Sequence, residues 1–526
     1  MSPNQRLAMS LALLLALAGM GFGFYYLWKP DGETRIGRAA DATPSASAAI
    51  PRPKPLPPVF FKNQPPPDLV LLLSGQMYGY LQPCGCARPQ LGGLERRFEA
   101  LKKLRDKGWP VSAADLGDLA PKQTDRQGRI KFETALKTLH LMNYAAIGVG
   151  LTEVTMSLEE TLGVGLNYQP PAFLAANLID KDGKFPEMYR PWVIDEPRGD
   201  GSAAGLRVGY LGLIGKGVAE EIKAKDPSLT IAPPEEALPA ALEQLQAQKP
   251  DIMVLLFHGS RAEARAVAAK FPLIRVVLTL DDSDEPSALP AKVGDALFVS
   301  VGHKGKYVGL VGVYRQGGTG QVDLRYELAA MSEGLEPADD ATNPAREEMR
   351  SYVRQIYQGD FLGKWPRSSH PLQLDSPDAQ FVGAAKCQQC HPKAFAIWSA
   401  ARHSHAYESL EKYGRPLATI NRKDQPPLAA GRQHDPECAR CHTTGFDYKT
   451  GFVTEQATPH LKGNQCENCH GPASLHVEHP QEAKFSAPLR LTVAKVEYDC
   501  RKCHDGDNDP KFKLEDYWPK IKHGRE

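Results

Sequence analysis

The sequence lacks an excess of charge of either sign. Its 63 Lys and Arg stand against 62 Asp and Glu, for a formal net charge of +1. No basic stripe with interleaved aromatics runs through it, which excludes a nucleic-acid binder. Cysteine is scarce in the first 380 residues, where only Cys84 and Cys86 occur. The other eight of the ten lie between 387 and 503. A disulfide framework has to compete with the spacing of those eight, and the spacing decides against it. Aliphatic runs are few between 381 and 526, a stretch rich instead in Gly, Pro, His and Cys. Such a segment would struggle to bury a conventional core, so something else must fill it.

A different absence marks the N-terminus. From Leu7 to Trp28 there is no charged residue. A helix of that length reaches about 33 Å, enough for the hydrocarbon core of a bilayer. Tyr25, Tyr26 and Trp28 stand where an interfacial aromatic belt would lie. The small-x-small pattern Ala16-Leu17-Ala18 leaves a cleaved signal peptide open. The apolar run continues well past it, which suits an uncleaved anchor better. Either way the chain leaves the cytoplasm.

The organisation that follows has five parts: the anchor or signal peptide (1–30), a Pro- and Ala-rich linker (31–67), an α/β domain (68–332), a helical connector (333–380) and a Cys- and His-rich segment (381–526). Strand-like runs in the α/β domain fall at 68–74, 111–116, 145–150, 173–178, 207–214, 252–257, 296–302 and 307–314. Helical patterns at 93–107, 130–143, 235–248 and 261–271 separate them. Alternation at this spacing predicts a sheet covered by helices. A charged helix at about 344–358 leads into the final segment, predicted to be mostly helical and loop-rich.

Four times that segment repeats Cys-x-x-Cys-His. The residues are Cys387, Cys390 and His391; Cys438, Cys441 and His442; Cys466, Cys469 and His470; and Cys500, Cys503 and His504. Two thiols three apart add across the vinyl groups of one haem, and the adjacent histidine ligates its iron. Paired zinc or thioredoxin-like sites would not demand a histidine after every second cysteine. The pattern predicts four covalently attached c-type haems, which supply the missing core. Attachment of this kind takes place outside the cytoplasm, so the expected location is periplasmic, anchored at the inner membrane.

With His391, His442, His470 and His504 as proximal ligands, seven histidines of the segment are spare, against four in the first 380 residues. That surplus makes distal ligation the expectation. The best-placed candidates are His403, His405, His476 and His523, with His434 and His460 the weaker ones. Full bis-histidine ligation would favour electron transfer, and an open sixth position would admit a substrate. Haem propionates would make the loaded segment acidic and suit a basic patch on a partner.

The stretches "FVGAAKCQQCHPKAFAIWSAARHSHAYESL", "CARCHTTGF", "CENCHGPASLH" and "YWPKIKHG" resemble the tetrahaem cytochrome c family whose founding member accepts electrons from hydroxylamine oxidation. The resemblance implies packed haem pairs and mostly bis-histidine ligation, with one haem five-coordinate in some members. It points to His403 or His405, His476 and His523 as distal residues. The α/β domain resembles the metallophosphoesterase half of 5′-nucleotidases, through "GYLQPCGCARPQLGGLERR", "DLGD", "LAANL", "YLGLIG", "VLLFHG" and "VGHKGKYVG". The catalytic pattern of that family is broken. "SGQMYG" stands for its Asp-x-His, "GVGLTE" for its Gly-Asn-His and "LTLDDSD" for its Gly-His-x-His. Asp115 or Asp118, and His258, remain, too few to hold two metals.

The sequence therefore predicts a membrane-attached electron carrier between redox protein partners, within reach of a membrane respiratory complex. Its phosphoesterase-like domain is expected to dock rather than hydrolyse. Three other readings stay open: a redox enzyme acting on a small nitrogen or sulfur compound at a five-coordinate haem, a true phosphoesterase, and a scaffold. Cys84 and Cys86 have three open readings, a structural disulfide, a redox pair or half of a metal site. Gly92-Gly93 before a helix is compatible with an anion cradle or a plain tight turn.

Overall fold

Residues 69–73 are apolar on both faces of a strand, and both faces are buried. Leu69, Leu71 and Leu73 enter one apolar cluster, Val70 and Leu72 another. Alternation with both faces buried puts a strand inside a sheet that is covered on each side. In the computed structural model, described for residues 58–526 except 84–89, 123–124, 180–187, 200–204, 318–320, 338–341, 415–430, 507 and 525–526, this strand is β1 (Leu69–Ser74). The expected anchor, most of the linker, and Cys84 and Cys86 lie outside the described residues. Among those described, no helix is long and apolar enough to cross a membrane.

Beside a separate two-stranded pair, Leu178–Ile179 with Thr230–Ile231, eleven further strands complete two six-stranded sheets. They are β2 (Val111–Asp115), β3 (Ala146–Gly148), β4 (Ala172–Leu174), β5 (Trp192–Asp195), β6 (Val208–Ile214), β7 (Ile252–His258), β8 (Val276–Thr279), β9 (Ala291–Val293), β10 (Ala296–Val299), β11 (Tyr307–Arg315) and β12 (Val322–Ala330). One six-stranded sheet has the order β12-β11-β1-β2-β3-β4 and the other β9-β10-β8-β7-β6-β5. β1 runs parallel to β2, with Leu72 opposite Ala113, and antiparallel to β11, with Leu71 opposite Val311. The sheets face each other across Leu71, Leu73, Val254, Leu256, Val276 and Val311.

Helices close the outer faces. Over the first sheet lie α1 (Leu94–Arg105) and α2 (Arg126–Leu141), through Leu101, Leu104, Phe132 and Leu136. Over the second lie α3 (Pro234–Ala247) and α4 (Arg261–Ala268), through Leu242, Leu245 and Val267. The alternate residues Met253, Leu255 and Phe257 of β7 meet this second helical layer. The order is helix, sheet, sheet, helix.

Several sequence boundaries move for local reasons. α2 starts at Arg126 rather than 130, because the Asp125 carboxylate accepts from the Gly128 N–H at 2.7 Å and caps the helix there. The strand expected at 145–150 stops at Gly148, since Leu151–Thr155 turns helical. The run at 173–178 splits, Ala172–Leu174 pairing in the first sheet and Leu178–Ile179 pairing with Thr230–Ile231 apart from it. The helix expected as a connector, α5 (Pro344–Gln358), packs Met349, Tyr352 and Ile356 into the cluster under α2. Phe60 and Phe61, at the end of the expected linker, are buried in the same cluster.

The segment from 381 onward has short helices joined by turns. Its polypeptide cluster is small: Leu362, Phe381, Tyr407, Ala439, Phe446, Phe452 and Leu461. Helix α6 (Pro392–Ala400) carries Phe395, Ile397 and Trp398, yet buries none of its residues in polypeptide. The motif-bearing elements include α7 (Pro436–His442), α8 (Cys466–His470) and α9 (Val493–Arg501).

Candidate haem centres

Each Cys-x-x-Cys-His motif forms a helical turn. The N–H of His391 donates to the Cys387 carbonyl at 2.9 Å, and that of His504 to the Cys500 carbonyl at 2.8 Å. α7 and α8 carry their motifs wholly within a helix. A turn of this pitch sets residues i, i+3 and i+4 on one face, so both thiols and the imidazole project together. None of the eight motif cysteines is in a disulfide.

Three motif imidazoles are oriented through Nδ1. His442 Nδ1 lies 2.6 Å from the Ala406 carbonyl, and His470 Nδ1 lies 2.7 Å from the Leu489 carbonyl. His504 Nδ1 lies 2.8 Å from an oxygen of the buried Asp509. A carbonyl or carboxylate only accepts, so Nδ1 carries the proton and Nε2 keeps a lone pair for a metal. Burial pushes His442 and His470 below the usual imidazole range, which favours the neutral, ligating form.

Three motif histidines face a second histidine from elsewhere in the segment. Ring centroids are 6.3 Å apart for His391 and His476, 6.1 Å for His504 and His403, and 5.8 Å for His470 and His523. Two imidazoles bound on opposite sides of one metal, each by a bond of about 2 Å, stand at this separation. Burial also lowers His403 and His476, and each is lowered further by the motif histidine it faces. The buried Nδ1 of His476 has no hydrogen-bond partner. The donor set and the unburied apolar face of α6 both fit a large apolar group with an imidazole on either side. His442 faces no second histidine among the described residues. Its Nδ1 meets Ala406 and, at 3.2 Å, the Ser409 hydroxyl.

The remaining candidates are placed elsewhere. His405 is exposed, 3.3 Å from Glu408. His434 packs on Tyr357 of α5, with ring centroids 4.6 Å apart. His460 is exposed, and its carbonyl accepts from Gln465 at 2.8 Å. His479 stacks on Phe485. His370, before the segment, packs on Tyr448 and is pushed down to about 4 by burial and then by Lys495 and Lys502.

Side chains join the motifs in pairs. The Cys387 side chain lies beside Cys466, and that of Cys441 beside Cys503. Glu467, inside the third motif, is buried and accepts from the N–H groups of Val382 (3.0 Å), Gly383 (2.7 Å) and Ala473 (3.0 Å). It thereby ties the third motif to the chain that enters the first. A glutamate between two motif cysteines reads in sequence as a solvated filler, so this anchor was not legible there.

At the end of β1 and β2, the acids left from the phosphoesterase pattern are already engaged. Ser74 Oγ donates to Asp115 Oδ2 at 2.5 Å. The guanidinium of Arg97, on α1 and wholly buried, lies 3.2 Å from Ser74 Oγ and 3.5 Å from Asp115 Oδ2. Asp118 Oδ1 accepts from the Thr152 N–H at 3.0 Å, and its Oδ2 lies 3.2 Å from His258 Nε2. Burial works against a charged His258, but Asp118 outweighs it and lifts the imidazole to about 8. Burial, then Asp118, pushes Glu153 up to about 7. Among the described residues no three His, Cys, Asp or Glu side chains come together to hold a metal ion. Arg97 supplies the cation that Asp115 requires, a role its place on an amphipathic helix did not signal.

Comparison with known proteins bears on both halves. Residues 386–471 match the family of cytochrome c554 and c-prime. Cytochrome c-554 of Nitrosomonas europaea is 38% identical over 95 residues, 18% of this chain and 40% of that protein. The chain thus spans well under half the length of this curated relative. Among solved structures, a 5′-nucleotidase precursor from Thermus thermophilus is 18% identical with a TM-score of 0.47, covering 57% of this chain and 60% of its own. The calcineurin-like phosphoesterase YfkN from Bacillus subtilis is 16% identical with a TM-score of 0.44, covering 55% and 98%. The matched residues 386–471 contain the first three Cys-x-x-Cys-His motifs.

Proposed function

We propose that this chain is a tetrahaem c-type cytochrome that relays electrons between redox protein partners outside the cytoplasm, held at the inner membrane by residues 1–30. The observation that carries this reading is the set of three facing imidazole pairs, each joining a motif histidine to one from elsewhere in the segment. Cys387 and Cys390, Cys438 and Cys441, Cys466 and Cys469, and Cys500 and Cys503 would each hold one haem. His391 with His476, His504 with His403, and His470 with His523 would ligate three irons, and His442 the fourth. Bound haem supplies one-electron chemistry at its iron. The chain's own part is to fix the imidazoles of His442, His470 and His504 by their Nδ1 partners and to bring the first and third motifs together through Glu467. The α/β domain, with Arg97 neutralising Asp115 and His258 engaged by Asp118, serves as a docking body rather than a hydrolase.

A second reading rests on His442, which faces no other histidine among the described residues. An iron there with an open side would admit a small nitrogen or sulfur compound. Haem counting with optical and EPR titration of the loaded protein tests both. The relay reading expects four haems, three of them low-spin. A signal at the His442 iron that changes on adding carbon monoxide or nitrite favours the enzyme reading at that site. Fewer than four haems, or several high-spin irons, overturns the assignment.

A further inference from the structure

The α/β domain grips the cytochrome segment at the start of α7, the helix that carries Cys438, Cys441 and His442. Asp435 caps this helix and is 2% exposed. Gln127 of α2 donates to its Oδ1 at 2.8 Å, and the Tyr352 hydroxyl of α5 donates to its Oδ2 at 3.0 Å. Gln127 also donates to the Tyr352 oxygen at 2.9 Å. The Arg432 guanidinium stands 3.1 Å from Oδ2, and the Glu437 N–H donates to Oδ1 at 3.0 Å. Around this centre Lys131 of α2 pairs with Glu437, Arg432 donates to Gln82 at 2.6 Å, and His434 leans on Tyr357. Burial disfavours the Asp435 charge, but Arg432, Lys131, Gln127 and Tyr352 outweigh it and hold the carboxyl below its usual range.

A buried carboxylate is an expensive element for a tether. Its charge, its donors from the neighbouring domain and its place on the motif helix have a combined consequence. We propose that Asp435 is a positioning residue that sets the reduction potential of the haem on Cys438 and Cys441, and that Tyr352 and Gln127 let the α/β domain adjust it. This rests on the reading that a haem is attached there. Reduction adds one electron to the ferric iron, supplied by the chemical reductant of a titration, and lowers the positive charge of the centre by one. A fixed negative charge in a poorly screened site therefore favours the ferric form. Neutralising Asp435 removes that bias. Deleting the Tyr352 hydroxyl does the reverse, because it strips away a dipole that offsets the carboxylate.

The test uses the full haem-loaded chain and its Asp435→Asn and Tyr352→Phe variants, with the His442 iron followed by optical and EPR redox titration. For Asp435→Asn, the ratio of reduced to oxidised form at fixed potential should rise about tenfold, equivalent to 59 mV for a one-electron couple. For Tyr352→Phe it should fall, by less. The other three irons should not move. Simple loosening of the interface would shift both variants in the same direction. A same-sign shift, no shift, a shift shared by all four irons, or loss of this haem in both variants overturns the proposal. The underlying reading fails separately, if the wild-type peptide bearing Cys438 and Cys441 carries no haem adduct. If Asp435→Asn does not fold, Tyr352→Phe keeps the charge paired with Arg432 and still decides the sign.

Discussion

Arg97 shows what a guanidinium does among buried acids. It is wholly enclosed and lies within reach of Ser74 and Asp115, themselves enclosed. Arg97→Met keeps much of the volume and removes the charge, which leaves the Asp115 carboxylate buried without a cation. Breaking a buried pair from one side costs about 3–5 kcal/mol, so denaturant unfolding of the α/β domain should shift by that order. An unshifted midpoint would mean that Asp115 is protonated in the native state. His258 and Glu153 give a pH dependence. Both hold protons more tightly folded, at about 8 and about 7, than at their ordinary values of 6.5 and 4.5. Their contribution is therefore complete in acid and lost as pH rises, for Glu153 between about 4.5 and 7 and for His258 between about 6.5 and 8. Asp118 is shifted the other way, but below 3.8 and so outside this window. From pH 6.5 to 8.5 the stability of the α/β domain should fall by about 2 kcal/mol through these two groups, and His258→Gln should flatten the curve. A stability that rises over this range would contradict the assigned proton.

Among elements, the Cys-x-x-Cys-His turns were the most legible in sequence, because their chemistry demands contiguous residues. Partners brought in from a distance were not. Asp509 beneath His504 and Glu467 beneath three backbone N–H groups look like surface acids in the sequence, and only folding encloses them. Glu467→Ala would leave those N–H groups without their acceptor, at about 1–3 kcal/mol each before water enters. Thermal unfolding of the haem segment should come earlier by several degrees, with the α/β transition unmoved. Equal shifts in both transitions would mean that the two parts unfold as one. The same logic explains α5. Its charges read as a connector, yet the stripe Met349, Tyr352, Ile356 has the spacing of a buried helix face and closes the first sheet. Strand β12 was missed because it is an edge strand, half-buried along most of its length.

At the scale of the whole molecule, two kinds of core sit side by side. The α/β domain buries its own apolar side chains in layers, and the near-continuous apolar runs of β1 and β7 announce this. The cytochrome segment has a small polypeptide cluster and apolar helices with little polypeptide to pack on, and its order depends on imidazoles and thiols converging from separate turns. The composition of 381–526 made the shortage visible. The pairing of histidines was not readable there, because His403 and His405 are two residues apart and only backbone geometry selects between them. That pairing is the central claim, and single variants of the distal candidates test it most directly by EPR of the loaded protein. His403→Ala, His476→Ala and His523→Ala should each convert one low-spin iron to high-spin, while His405→Ala, His434→Ala and His460→Ala leave the spectrum unchanged. A conversion in any of the last three, or none in the first three, would contradict the account.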